Sequence, residues 1–122
     1  MIGYAMVGSN DYEKAEDFFD AVLAELGAKR TMTGDRMQGY GHAQSPVMFM
    51  VCRPHDEKPA TGGNGSMIAF ASPSREVVDN THKAALANGG TDEGAPGLHG
   101  DTFYGAYFRD LDGNKFCVFN MG

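Results

Sequence analysis

The chain has no tryptophan, only two cysteines, no long hydrophobic run and no cluster of basic residues. Each absence removes a class of protein. Cys52 and Cys117 lie far apart in apolar, strand-like runs, so neither a disulfide scaffold nor a zinc knuckle is available, and buried, reduced thiols are expected. No segment approaches the roughly 18 to 20 consecutive apolar residues of a membrane span, and Met1-Ile-Gly-Tyr-Ala-Met6 has no basic stretch before a long apolar one. A soluble, cytoplasmic protein is expected. Ten Lys and Arg stand against sixteen Asp and Glu, a net charge of −6. Cations scattered singly offer no nucleic-acid or anionic-membrane surface and are compatible with a neutral or cationic ligand, although an acidic surface that only maintains solubility is the simpler reading.

What is present is enough for one domain: 122 residues, 42% hydrophobic. Ile2 to Gly8 reads as a strand, and Ser9-Asn-Asp11 offers side-chain oxygens to cap a helix. From Tyr12 the apolar residues Ala15, Phe18, Phe19, Val22, Leu23 and Leu26 recur at three- and four-residue spacing, and Gly27 can end the helix in the left-handed conformation. Three short strands follow, near Ala28 to Thr33, Met37 to His42 and Val47 to Cys52. Arg53 to Ser66 has two prolines, three glycines and no apolar periodicity, and reads as a linker.

The pattern then starts again. Met67 to Ala71 is strand-like, Ser72-Pro-Ser-Arg-Glu76 is a helix-start cluster, and Val77, Val78, Thr81, Ala85 and Leu86 mark a buried face that Asn88-Gly-Gly90 closes. A glycine-rich, weakly strand-forming stretch runs from Thr91 to Gly100. Thr102 to Arg109 and Lys115 to Met121 flank Asp110-Leu-Asp-Gly-Asn114, the polar and glycine positions of a tight reversal. The chain is α+β, two βαβββ modules: about residues 1 to 53, a linker of about 54 to 65, and about 66 to 122.

The closing hairpin resembles the Asp-Pro-Asp-Gly-Asn hairpin of the vicinal oxygen chelate superfamily, which includes glyoxalases, bleomycin-resistance proteins and extradiol dioxygenases. The opening, with the aromatic pair Phe18-Phe19 before Asp-Ala-Val-Leu23, is similar to that family's first strand and helix. Gly63-Asn-Gly-Ser-Met-Ile-Ala-Phe70, Ser72-Pro-Ser-Arg-Glu-Val-Val-Asp79 and Gly94-Ala-Pro-Gly-Leu98 are similar to a bacterial glyoxalase-like branch. The resemblance covers nearly the whole chain and implies an incomplete barrel around a small-molecule cavity, with a homodimer expected.

The departures bear on chemistry. The resemblance implies metal ligands on the first and fourth strands of module one, the opening strand of module two and the last strand, normally His, Glu or Gln. Those positions hold Tyr4, a residue near Met48 to Met50, Met67 and Cys117, the last where a Glu is usual. Thioethers and a neutral phenol replace little of the binding energy that a divalent metal draws from imidazole and carboxylate, so no cofactor is expected. A divalent metal enters only if other residues, such as His42 or His99 with a carboxylate, are the ligands. Copper(I) suits thiolate and thioether, but methionine more often fills packing gaps.

Alternation places Tyr4 with Met6 and Cys117 with Phe119. With Met48, Met50, Met67, His99 and Tyr104 they make a Met-rich, aromatic candidate cavity, or else side chains that simply fill a barrel. Cys117 as a nucleophile lacks a neighbouring base or cation in its apolar strand, so an inert thiol is expected. His55 and His82 read as solvated surface residues; His42 ends a strand with its direction open; His99 sits in a glycine-rich loop where an imidazole could cover a ligand or have no task. Arg109 is expected to pair with a nearby carboxylate. A binder of an apolar or cationic small molecule, a metal-dependent lyase, isomerase or dioxygenase, and an interaction module with a filled cavity are the competing functions.

Overall fold

A computed structural model describes residues 1 to 122. Its elements run β1 (Tyr4–Gly8), α1 (Tyr12–Ala24), β2 (Lys29–Thr33), β3 (Met37–Gly41) and β4 (Met48–Cys52), then β5 (Ile68–Ala71), α2 (Arg75–Ala87), β6 (Thr91–His99), β7 (Phe103–Arg109) and β8 (Lys115–Met121). Two four-stranded sheets result, ordered β1-β4-β3-β2 and β5-β8-β7-β6. In each, the first strand runs parallel to the last and the other neighbours are antiparallel. This is the βαβββ unit twice, and the glycine-rich stretch that looked weak as a strand is β6, with two register shifts against β7.

Both helices start where side-chain oxygens can satisfy a free backbone N–H. Asp11 accepts from the Lys14 amide at 3.2 Å and Ser74 from the Val77 amide at 3.1 Å. Helix α1 buries Tyr12, Ala15, Phe18, Phe19, Val22 and Leu23, as the spacing predicts, and Gly27 beyond it has a positive φ of 77°. Helix α2 is rotated from expectation. It buries Val78, Thr81, His82 and Ala85, leaves Val77 half-buried and exposes Leu86. His82 is therefore not a solvated surface residue: it is 6% exposed, and its Nε2 lies 3.0 Å from Asp92 Oδ1 at the start of β6. The carboxylate makes this orientation favourable by giving a buried imidazole a partner.

The helix-facing sides of the two modules meet in one core. Phe18 and Phe19 of α1 contact Phe108 and Phe116 of the second sheet at centroid distances of 6.3 and 5.6 Å, and Phe49 of β4 meets Phe70 and Phe116 at 5.4 and 5.7 Å. These rings, mostly edge-on or tilted, are the arrangement aromatic quadrupoles favour. Burying each contributes roughly 1.5 to 3 kcal/mol. With the helix sides joined, the opposite sheet faces turn outward, and the single chain closes no barrel.

The Asp110–Asn114 turn ties the halves together. Asp110 Oδ1 accepts from the Asp112 and Asn114 amides, both at 2.9 Å, and Asn114 Nδ2 donates to Asp110 Oδ2 and, at 3.1 Å, to the Gly8 carbonyl at the end of β1. Gly113 takes the left-handed conformation this reversal needs, with φ 82°. Burial pushes the Asp110 carboxyl up, against those hydrogen bonds. The linker lies flush on the turn: a Cβ at Gly62 would stand 2.2 Å from the Gly113 carbonyl oxygen. Arg109 pairs with Glu93 and also donates to the Gly113 carbonyl at 2.8 Å.

Candidate functional site

Because side chains alternate along a strand, each sheet divides its residues between the core and the outward face. In β1, Val7 packs on the core, so Tyr4 and Met6 point outward, and register sets Met48 beside Tyr4 and Met50 beside Met6. Cys52 continues the row next to Met37. Gly39 lies beside Met50, and the Thr31 hydroxyl approaches Met48 Sδ at 3.4 Å. The first outward face is thus thioether-rich. Tyr4 is 58% exposed, while Met50 is only 3% exposed although it lies outside the aromatic core.

The second outward face is aromatic. Register places Tyr107 beside Cys117, Gly105 beside Phe119, and His99 beside Phe103. Phe103 and Phe119 stack at 5.2 Å with planes 11° apart. Glycines let these rings lie down on the sheet: a Cβ at Gly105 would meet Phe103 Cε1 at 2.5 Å, and one at Gly94 would meet Tyr107 Cδ2 at 3.1 Å. His99 stands edge-on to Tyr107 at 5.7 Å and to Phe103 at 6.0 Å. Lys115 Nζ is 5.7 Å from the Tyr107 ring centre. Cys117 lies beneath, 1% exposed. Burial pushes its thiol up, opposed by the Tyr107 hydroxyl and Lys115; burial likewise raises Tyr107, with Cys117 adding to it. Cys52 is half-buried and raised by burial against Arg36, so neither thiol is an activated nucleophile.

Of the nine residues expected to surround a cavity, Tyr4, Met6, Met48 and Met50 share the first face and His99, Cys117 and Phe119 the second. Met67 precedes β5 in phase with Ala69 and Ala71 and is exposed. Tyr104 is a correction. It is on the helix side, where its hydroxyl donates to Asp79 of α2 at 2.6 Å and Arg75 covers its ring at 5.2 Å. Tyr107, which by sequence is like Tyr40 and Tyr104 a strand tyrosine able to present its hydroxyl to a ligand, stands on the outward face beside Cys117. The signal was in the hairpin: a turn over 110 to 114 pairs Arg109 with Lys115, and counting back pairs Tyr107 with Cys117 and Tyr104 with Asn120. Phe103 and Lys115 follow from the same count.

An apolar cleft of about 570 Å³ is lined by Leu23, Leu26, Met48, Phe49, Ile68 and Phe70, with His42 and Ser45 among its few polar residues. His42 follows Gly41 at the end of β3 and lines this cleft. Its Nδ1 accepts from the Gln44 amide at 3.2 Å.

The donor set does not fit a divalent metal. The positions named for ligands hold a phenol, thioethers and a raised thiol, and nowhere do three His, Cys, Asp or Glu side chains converge. The model of the Glyoxalase/Bleomycin resistance protein/Dioxygenase superfamily matches residues 1–118. The chain belongs to this superfamily. A glyoxalase/bleomycin resistance protein from Albidiferax ferrireducens is 39% identical, over 100% of this chain and 99% of that one, with a TM-score of 0.93. A superfamily enzyme from Burkholderia phytofirmans (19% identity, 98% of each chain, TM-score 0.78) and a lactoylglutathione lyase from Agrobacterium tumefaciens (19%, 98% and 92%, 0.70) share the fold. No curated protein matches the chain. No helix of this superfamily member is long and apolar enough to cross a membrane.

Proposed function

We propose that this superfamily member binds a small, largely apolar molecule without a divalent metal, between the outward face of the first sheet of one copy and that of the second sheet of another. The observation that carries this is the chemistry of the two faces: thioethers on one and flat aromatic rings on the other. Methionine adapts its shape to irregular ligands and aromatic rings stack on planar ones, so the two surfaces suit opposite sides of one molecule. Two copies are invoked because a single chain spends its helix sides on the shared core and leaves both faces open, with Tyr4, Met6, Met37 and Met121 exposed.

Light scattering with a thermal-shift panel tests this. The expected result is a homodimer, unmoved by iron, nickel, zinc, manganese, copper or chelator, and stabilised by members of an aromatic ligand panel. Stoichiometric divalent metal, with an activity lost on chelation, would overturn it in favour of a lyase, isomerase or dioxygenase. A monomer without ligand response would leave an interaction module.

A further inference from the structure

The second outward face carries an unpaired cation at one end, in a protein whose net charge is −6. Arg109 is matched by Glu93. The neighbouring Lys115 forms no ion pair; it is half-buried and leans over the Tyr107 ring. Beside that ring stands the His99 imidazole. Of the carboxylates in the strands and turn beside Lys115, Glu93 is taken by Arg109, Asp92 is turned to His82 and Asp112 accepts from the Asn10 amide at 2.8 Å. The ring ledge of Phe103 and Phe119 and the ammonium of Lys115 are therefore two ends of one surface. Phe119 and Lys115 are four residues apart in β8, a span of about 13 Å at the usual strand rise.

We propose that this face selects extended planar aromatic anions, with the ring system against Phe103, Phe119 and Tyr107 and the anionic group toward Lys115. This rests on the binding function proposed above and names its ligand class. A cation here would meet Lys115 directly, whereas an anion meets an ammonium held by a π-face in partly desolvated surroundings, where charge attraction is stronger than in water. The net charge of −6, which favours cations at long range, is spread over the whole surface and is screened within about 10 Å in ordinary salt.

The test uses the full chain and three probes that share one ring system: 2-naphthoate, 2-naphthamide and 2-naphthylmethylamine. Calorimetry or fluorescence titration is expected to rank naphthoate about tenfold tighter than the amide, with the amine weakest, the size of one charge-assisted contact. Lys115→Gln removes the preference for naphthoate while leaving the amide within about twofold, and Lys115→Arg keeps it. Equal binding of naphthoate and naphthamide, or a preference unmoved by Lys115→Gln, would overturn the charge assignment and leave ligand binding standing. Tighter binding of the amine would overturn it in favour of a cationic ligand. Failure of all three to bind or to shift the melting temperature would overturn the ligand class, and the wider panel above then decides whether ligand binding itself survives.

Discussion

The two modules have the same strand order and parallel closing pair, yet they fill the shared core unequally and turn different chemistry outward. Helix α1 brings Phe18, Phe19 and Tyr12 to the interior; α2 brings Val78, Thr81 and Ala85. Large rings on one side meet small side chains on the other, with Phe108 and Phe116 of the second sheet taking up the space. Close packing rewards such complementarity over repetition. Each helix is also tied to its own sheet through a carboxylate. Asp20 accepts from Arg30 and from the Tyr40 hydroxyl at 3.0 Å, as Asp79 accepts from Tyr104. A duplicated backbone thus tolerates divergent side chains so long as the sum of the core is kept. The outward faces, free of that constraint, have become thioether in one module and aromatic in the other.

The comparison breaks most completely at Phe116, which touches rings from both modules. Phe116→Ala should cost about 3 to 5 kcal/mol, and denaturant unfolding should remain one transition for both halves. Two separated transitions would mean that the modules fold independently. Asn114→Ala comes next. It removes donors to Asp110 and to the Gly8 carbonyl across the module boundary, and should cost about 1 to 3 kcal/mol.

Gly105→Ala tests the aromatic face alone. The new methyl would displace the far edge of the Phe103 ring, a flexible side chain, so stability should fall by no more than about 1 kcal/mol while binding of planar aromatic probes is lost. Unchanged binding would remove the flat ring ledge from the site. Asp20→Asn probes the helix tie through pH. The hydrogen bond from Arg30 holds the Asp20 carboxyl below its ordinary value, so its contribution is present above about pH 4 and lost as pH falls through the lowered folded-state value. The wild-type advantage over Asp20→Asn should be under about 1 kcal/mol at neutral pH and vanish in acid. Smallest of all, iodoacetamide should modify half-buried Cys52 before Cys117 in native protein, read by peptide mass spectrometry, with equal rates after unfolding.

The element order was legible because periodicity and turn chemistry are local. The Phe18-Phe19 helix, the Asp11 cap and the Gly113 turn all follow from neighbouring residues. Alternation also sorted Tyr4 with Met6 and Cys117 with Phe119 correctly. Tyr104 falls on the helix side because the turn sets a β7–β8 register that pairs it with Asn120, out of phase with Cys117 and Phe119. His82 was misread because its partner, Asp92, lies on another element.

The sequence by itself determined two strand–helix–strand units, the phenol, thioether and thiol at Tyr4, Met67 and Cys117, and a hairpin whose turn sets its own register. Only the tertiary structure decided that the modules join by their helix sides, that Phe103, Tyr107 and Phe119 lie flat beside glycines, and that Lys115 stands unpaired over one of those rings. Local pattern tells a strand which residues alternate; which side is covered, and by what, depends on contacts between residues distant in the chain.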